Sequence, residues 1–363
     1  MAVILDHIAS AATAVSSAYA AAHIPQPLLR PKTMRVPRQA IGAGIEAASI
    51  GARTGTSFRR TDAPGLDLDI TADYSVCNAL AGAQRFLTHE VTARRIASTA
   101  RLASPMRTAE ELVAMDLLTH PARWPALAFL VKPRFAGEAM TAHVELFGHE
   151  ATVTAPIVSG SRGLWMTGYD LVAAAIEDLD RGGSSQIPEI EEAWTFDFGP
   201  RLPGLGPVAF PGGWTWDPRR RDTYRSRDGR TWGHFPLLLA AMRLEVKEDP
   251  SLSLAQRLRR AGMLKVAANA AAFGLFSATT PITAKPGTKH RVITSEGTLT
   301  LEEGTPERPG AWSFPPAAAL VEGAGRLLLT LLLHEVRIRG GSFVQFDTDG
   351  GFILATPKGG DVP

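Results

Sequence analysis

Two segments far apart in the chain alternate apolar and polar residues, the period that predicts β-strands. In residues 66–70, leucine and isoleucine fall on one face while Asp67 and Asp69 fall on the other. Residues 342–354 predict a strand, a tight turn and a second strand, with a glycine pair supplying the turn. Each segment therefore carries carboxylates at the end of a predicted strand.

Apolar residues at helical spacing occupy most of the chain between these strands. They predict short helices over 74–80, 110–118 and 171–180, a helical hairpin over 235–276 and a long helix over 316–337. Alternation predicts a strand pair over 129–154 that turns near Gly148, and further strands over 291–301. The pattern is that of a mixed α/β (α+β) protein in which an antiparallel sheet is flanked by helices.

The carboxylates of the last hairpin suggest a cation site. If the strand continues through residues 347–349, Asp347 and Asp349 project to the same side while Thr348 points away. Magnesium takes one or two carboxylates from a protein and completes its shell with water and phosphates. The same spacing also occurs in solvated turns and in the metal sites of sugar-nucleotide transferases. A second acidic motif close in space would distinguish these interpretations.

The predicted helical hairpin carries cations at helical spacing. Arg243 and Lys247 lie one turn apart on its first helix, and Lys265 and Asn269 lie one turn apart on its second. A cation and an amide on one face suit a triphosphate and its base. Alanine-rich helices with a lysine are also common without any ligand, so the spacing alone does not decide between the two.

Three motifs occur in an order that is typical of one enzyme family. They are Asp69 with Ala72 and Tyr74, Lys265 with Asn269 and Phe273-Gly274, and Asp347-Thr348-Asp349. In this order they resemble the first catalytic motif, the fingers motif and the catalytic hairpin of family B DNA polymerases, in a divergent bacterial or phage-like form. The resemblance extends at low identity over most of the chain.

The resemblance implies a polymerase palm, with fingers formed by the helical hairpin. Such an enzyme extends a primer on template DNA with deoxynucleoside triphosphates. Two Mg²⁺ ions, for which Mn²⁺ can substitute, would be held by the catalytic residues Asp69, Asp347 and Asp349. The resemblance assigns nucleotide contacts to Tyr74, Arg243, Lys247, Lys265, Asn269 and Phe273, and a template contact to Arg53.

A basic segment lies before the helical hairpin. Residues 218–230 contain six arginines, and tryptophan and tyrosine residues are interleaved with them or flank them. Guanidinium groups beside aromatic rings suit phosphate contact combined with base stacking. We therefore predict nucleic-acid contacts for Arg219, Arg220 and Arg221. A solvated loop of Arg–Asp pairs would show the same composition.

Some positions depart from the family pattern. Phe346 and Phe273 stand where the family has tyrosine, Gly350 where it has serine and Ser75 where it has proline. The family's exonuclease region and thumb have no counterpart, so they are expected in a separate subunit, or the chain is a remnant with weak or no activity. The expected segments are a helical start (1–60), palm (61–205), fingers (206–280) and the rest of the palm (281–363).

Composition narrows the class of protein further. With 363 residues and 45% apolar content the chain can bury a substantial core. Because the net charge is only +2, nucleic-acid binding would depend on local clusters of basic residues. Cys77 is the only cysteine, which excludes a disulfide within one chain and fits a reducing cytoplasm. No zinc spacing or Gly-rich phosphate loop occurs. No signal peptide is expected, and the apolar run 327–333 is too short to span a bilayer, so no membrane partner is expected.

One distance separates the three functional hypotheses. A polymerase needs Asp69 within about 10 Å of the Asp347 turn, because paired ions lie roughly 4 Å apart. A sugar-nucleotide transferase that uses Asp347 and Asp349 has no need of Asp69 there. A non-catalytic nucleic-acid-binding palm needs the fold but not the chemistry.

Overall fold

The computed structural model describes the larger part of the chain. The described residues are 11–27, 34–35, 54–56, 65–96, 117–134, 140–142, 155–157, 165–180, 189–221, 226, 228–281, 289–294, 297–301, 307–347 and 349–354. The expected helix over 110–118 lies almost wholly outside them, as do Arg53 and the predicted turn near Gly148.

Eight α-helices and one π-helical turn occur in this described part. The helices are α1 (Ala11–Ala21), α2 (Asp73–Ala81), α3 (Arg85–Thr88), α4 (Gly168–Asp180), α5 (Phe235–Glu248), α6 (Leu254–Asn269), α7 (Leu275–Ser277) and α8 (Pro315–Ile338). The π-turn is Ala270–Gly274, and short 3₁₀ segments cover Pro121–Leu127 and Pro211–Gly213.

The strands are mostly short. They are β1 (Met34–Arg35), β2 (Thr54–Thr56), β3 (Leu66–Asp69), β4 (His89–Arg95), β5 (Phe129–Arg134), β6 (Met140–Ala142), β7 (Ala155–Ile157), β8 (Met166–Thr167), β9 (Glu189–Arg201), β10 (Val208–Phe210), β11 (Trp214–Trp216), β12 (Thr231–Trp232), β13 (Thr279–Pro281), β14 (His290–Thr294), β15 (Gly297–Leu301), β16 (Glu307–Pro309), β17 (Ser342–Asp347) and β18 (Gly350–Leu354). Most pairings are antiparallel, so the predicted mixed class of helices with antiparallel sheets is confirmed.

The chain divides into two compact units, each made of three segments. The first contains Met1–Glu46, Tyr74–Ala93 and Phe196–Val321, and the second contains Ala47–Asp73, Arg94–Thr195 and Glu322–Pro363. The four expected segments remain a prediction.

A four-stranded antiparallel sheet in the order β2-β17-β18-β3 lies in the second unit. One of its faces packs on α8, where Leu329 and Leu333 meet Phe343 and Phe346. Three positions apart, these two phenylalanines would lie on opposite faces of a regular strand. An irregularity between Phe343 and Gln345 brings both to the buried face.

The strand that begins at Phe129 pairs differently from our expectation. β5 pairs with β8 through Leu130 and Val131, and with β9 over Phe129 to Arg134. Within the region of the expected pair, β6 pairs antiparallel with β7, from Met140↔Ile157 to Ala142↔Ala155, which brackets the predicted turn near Gly148; only the first strand, β5, has partners that we did not expect. Local alternation identified the strand correctly, but partner choice depends on contacts that are distant in sequence.

Helix α4 and the part of α8 that lies in the second unit are joined by buried polar contacts. Arg326 donates to Asp170 from Nε at 2.6 Å and from Nη2 at 3.0 Å. Asp180 accepts from Arg337 at 2.7 Å and pairs with His334 Nδ1 at 2.6 Å. These bonds fix the helix that supports the four-stranded sheet.

In the first unit, α5 and α6 form the predicted helical hairpin. The second helix begins with a capping box in which Ser253 and Gln256 satisfy each other's backbone N–H groups. An aromatic cluster supports the unit: Tyr19 has its ring centroid 5.0 Å from that of Trp312 and 5.7 Å from that of Phe235.

Helix α8 is long and apolar enough to cross a membrane by length and composition. Its most apolar window is 89% buried, as expected for the core helix of a soluble protein. The expectation of a buried helix is thus confirmed, while its assignment to a palm stays a prediction.

Candidate functional site

A single row of residues runs across the sheet of the second unit. Asp347 pairs with Thr54 on one side and with Gly350 on the other, and Gly350 pairs with Asp69. Residues that face one another across antiparallel strands share one face of the sheet. The backbone register therefore puts Asp347 and Asp69 on the same face, with only a glycine between them.

The next row on this face is also polar at its ends. It runs Thr56, Gln345, Phe352 and Asp67. Phe352 is 42% exposed, and Gln345, Asp67 and Asp69 are exposed as well. The face opposite α8 is therefore an open surface on which the carboxylates of β3 are accessible.

Gly350 permits a close approach of two strands. A Cβ at this position would lie 2.4 Å from the carbonyl oxygen of Leu68, and a Cβ on Gly351 would lie 2.8 Å from that of Gln345. Neither glycine has a positive φ. Our expectation that the pair supplies the turn was wrong, because both residues belong to β18. They are required by strand packing and not by turn geometry.

Asp349 lies outside the strand row. β17 ends at Asp347, so the expected alternation of Asp347 and Asp349 along one strand does not occur. Asp349 is partly buried in the turn, and its carbonyl oxygen accepts a hydrogen bond from the N–H of Ile70 at 2.6 Å. This bond ties the turn of the hairpin to the residue that follows Asp69.

The strand register sets the distance between the backbones of Asp69 and Asp347. Two interstrand steps of about 4.8 Å separate the Asp69 and Asp347 backbones by about 10 Å. Two acidic residues in one row, separated by a residue without a side chain, suit hard divalent cations, which take oxygen ligands. Asp69 and Asp347 are the residues that would hold such ions, with Asp349 beside them. Among the side chains that the structure describes, which exclude that of Asp347, no group of three metal-ligating residues occurs.

The predicted nucleotide contacts lie in the first unit, and two of them meet. The rings of Tyr74 and Phe273 stack with centroids 5.4 Å apart and an interplanar angle of 20°. Lys265 and Asn269 both lie on α6, with Lys265 exposed and Asn269 half-buried. Phe273 follows in the π-turn that extends this helix.

Arg243 and Lys247 lie on α5, as the spacing predicted. The Nε atom of Arg243 is buried and has no hydrogen-bond partner, while Lys247 is exposed. The carbonyl of Lys247 accepts a long bond of 3.4 Å from Arg257 Nη1. These two cations thus differ in solvent exposure, and of the two only Lys247 is fully accessible to an anionic ligand.

The basic segment is partly neutralised by its own carboxylates. Arg219 donates two bonds to Asp217, from Nε at 2.8 Å and from Nη2 at 2.9 Å. Arg220 pairs with Asp228 at 2.7 Å, and Arg221 is exposed. The alternative of Arg–Asp pairs therefore holds for two of the three arginines for which we predict DNA contacts.

A buried polar group in the first unit escaped the sequence analysis. Asn78 of α2 and His234 at the start of α5 hydrogen-bond each other at 2.8 Å, and both are buried. Asn78 also donates to the Ala272 carbonyl in the π-turn at 2.6 Å. The available signal was a polar residue on the apolar side of α2, which alone does not indicate a partner.

Comparisons with family models, curated proteins and solved structures gave no match.

Proposed function

We propose that the chain is a template-directed DNA polymerase, related to family B enzymes, that transfers deoxynucleotides to a primer 3′-hydroxyl. The observation that carries the proposal is the row in which Gly350 separates Asp69 from Asp347. The two acidic residues are distant in sequence, yet strand register brings them to one end of one open face. The proposal includes the palm and fingers assignment and a cytoplasmic location.

The roles of the residues follow from their chemistry. Mg²⁺ or Mn²⁺ held at this row would neutralise triphosphate charge and favour attack by the primer hydroxyl. Asp69, which is exposed, and Asp347, which the register places in the same row, would supply hard anionic oxygens to such ions, and a substrate would complete the coordination. Within the first unit, taken by itself, the charge of Lys265 suits a phosphate group and the Tyr74–Phe273 rings form a flat surface that suits a base.

Register supports this reaction over sugar-nucleotide transfer. The transferase hypothesis uses only Asp347 and Asp349, and it gives no reason for a second acidic strand beside their hairpin. In the structure β3 pairs directly with β18, and the Ile70 N–H bonds the Asp349 carbonyl. Such a junction is what a reaction that requires all three acidic residues would need.

Primer extension tests the proposal. Wild-type protein should extend a labelled primer on a DNA template with Mg²⁺ and deoxynucleotides. Asp69→Asn and Asp347→Asn should each lower the rate at least 100-fold. The matched control is Asp67→Asn, which removes an exposed carboxylate from the same strand and face, one row away, and should change the rate less than threefold.

The outcomes separate the hypotheses. Equal extension by wild type and Asp347→Asn would refute the catalytic proposal. Binding of primer-template DNA without any extension by wild type would favour a non-catalytic palm, or one that depends on a separate thumb or exonuclease subunit. Mn²⁺ titration followed by electron paramagnetic resonance gives an independent measurement, since Asp69→Asn should weaken Mn²⁺ binding and Asp67→Asn should not.

A further inference from the structure

The helix that carries Lys265 and Asn269 ends in an unusual turn. Residues Ala270–Gly274 form a π-helix, in which the Leu275 N–H donates to the Ala270 carbonyl five residues earlier. π-turns are rare and often occur at functional sites, because they change the direction of side chains on an otherwise regular helix. Phe273 is within this turn.

Side chains from elsewhere in the first unit bond the carbonyl groups of this turn. Tyr19 donates its hydroxyl to the Ala271 carbonyl at 3.3 Å. Asn78 donates from Nδ2 to the Ala272 carbonyl at 2.6 Å. Both side chains are buried, where leaving a hydrogen-bonding group unpaired is costly.

The hydrogen-bond network fixes the direction of the Asn78 amide. The Leu237 N–H donates to His234 Nδ1 at 3.3 Å, so Nδ1 carries the lone pair. Burial lowers the pKa of His234 to about 3, which keeps the ring neutral at pH 7. Its Nε2–H therefore donates to Asn78 Oδ1 at 2.8 Å. The amide oxygen is thus occupied, and Nδ2 is directed to the Ala272 carbonyl.

The same amide stands next to the stacked ring pair. Asn78 follows Tyr74 by one turn of α2, and Ala272 immediately precedes Phe273. Two residues one turn apart on α2 therefore contact two consecutive residues of the π-turn, Asn78 through a hydrogen bond and Tyr74 through a ring stack. A change in the bond should displace the stack.

We infer that Asn78 is a positioning residue that holds the π-turn and thereby sets the geometry of the Tyr74–Phe273 pair for an incoming nucleotide. The nucleotide role rests on the proposed function. The geometric role of Asn78 does not, and it can be measured on the protein without substrate.

The chain offers a matched control in Gln84. This side chain is also a buried amide that makes two short bonds: Nε2 donates to the Gly233 carbonyl at 2.6 Å, and Oε1 accepts from the Phe235 N–H at 2.6 Å. Both bonds join the region after α2 to the start of α5. Asn78→Asp and Gln84→Glu are therefore equivalent amide-to-acid changes. Only Asn78→Asp removes a hydrogen bond donated to a carbonyl of the π-turn.

Fluorine NMR on 3-fluorotyrosine-labelled protein reads the ring stack directly. The Tyr74 resonance is assigned with Tyr74→Phe, and its unstacked position is taken from Phe273→Leu. Asn78→Asp should shift the resonance toward that unstacked position, while Gln84→Glu should leave it unchanged. An unshifted resonance in Asn78→Asp, or an equal shift in Gln84→Glu, would overturn the inference.

Kinetics then test the consequence for the nucleotide. In primer extension, Asn78→Asp should raise the KM for the deoxynucleotide at least tenfold while kcat changes less than threefold, and Gln84→Glu should leave the KM unchanged. If wild type extends no primer, the proposed function fails while the NMR result still decides the positioning role. If Asn78→Asp does not fold, Asn78→Ser, which is smaller and cannot reach both partners, replaces it in both measurements, with the same expected shift.

Discussion

The buried ion pair between Asp170 of α4 and Arg326 of α8 should control the stability of α8, which lies beneath the carboxylate row, the row of the sheet that contains Asp69, Gly350 and Asp347. Asp170 accepts four hydrogen bonds, two from Arg326 and two from the N–H and hydroxyl of Thr167. The Arg326 and Asp170 side chains are only 8% and 11% exposed. The perturbations are Asp170→Asn, Arg326→Met and the combination of both.

The structure sets the order of these effects. Removing one partner of a buried pair costs about 3–5 kcal/mol, because the other charge is left without compensation. Asp170→Asn should fall near 3 kcal/mol, since Glu322 still lies 3.7 Å from Arg326. Arg326→Met should cost about 5 kcal/mol, because it leaves two buried carboxylates. The double variant leaves only one of these and should cost at most about 4 kcal/mol, well below the sum.

The pair should also contribute to acid sensitivity. Burial alone would raise the pKa of Asp170, but the charge and hydrogen bonds of Arg326, together with those of Thr167, outweigh burial and lower the pKa below its usual value. A lowered folded-state pKa stabilises the fold above the unfolded value of about 3.9, and this stabilisation is lost as the pH falls through the folded value. Asp170→Asn should therefore reduce the loss of stability below about pH 4.

Hydrogen exchange by mass spectrometry, followed in peptides from α4 and α8, measures the opening free energy of this region. The control is Glu335→Gln on the same helix, which removes the partner of Arg339 at an exposed i,i+4 site and should cost at most about 0.5 kcal/mol. A cost below about 1 kcal/mol for Asp170→Asn, or additive single and double effects, would refute the reasoning.

Gly350→Ala should destabilise the sheet by about 1–3 kcal/mol, since the added Cβ would lie 2.4 Å from a carbonyl oxygen. Gly262→Ala, at a helical position where the added Cβ has open space, should stabilise the protein by about 0.5–1 kcal/mol. Urea unfolding of both variants measures the two free-energy changes. Lowering the pH from 7 to 5 should reduce the free energy of unfolding by about 2 kcal/mol through His234. Its folded pKa of about 3 lies below the unfolded value of about 6.5, so only the unfolded state binds a proton in this range. The reduction should disappear in His234→Gln. Arg221→Ala should lower the salt slope of DNA binding by about 1 in a fluorescence-anisotropy titration, and Arg219→Ala, whose guanidinium already has a carboxylate partner, should leave it unchanged.

Local periodicity was sufficient for the elements that surround the site. The alternation of residues 66–70 predicted β3, and the strand-turn-strand pattern of 342–354 predicted the hairpin of β17 and β18. The helical hairpin and the long helix over 315–338 also follow their apolar spacing. In each case the pattern is complete within the element, so no distant contact is needed to determine its type.

The features that local pattern missed depend on distant contacts. The glycine pair of the hairpin looks like turn sequence, but its requirement comes from the approach of β3, a strand far away in the chain. The partners of β5 also lie outside its local sequence, as in the pairs Leu130↔Thr167 and Phe129↔Thr195. Asn78 has its role only because two separate segments, the start of α5 and the π-turn, meet around it.

Helix α8 shows how one element can serve both the stability and the chemistry that we propose. Leu329 and Leu333 pack against the buried face of the hairpin, whose opposite face carries the carboxylate row. Arg326 and Arg337 bond carboxylates of α4. Because paired charges leave little freedom to slide, these bonds hold the register of the helix, while the apolar side transmits that position to the sheet. The strand register sets the row of Asp69, Gly350 and Asp347, and α8 supports the opposite, buried face of the same sheet.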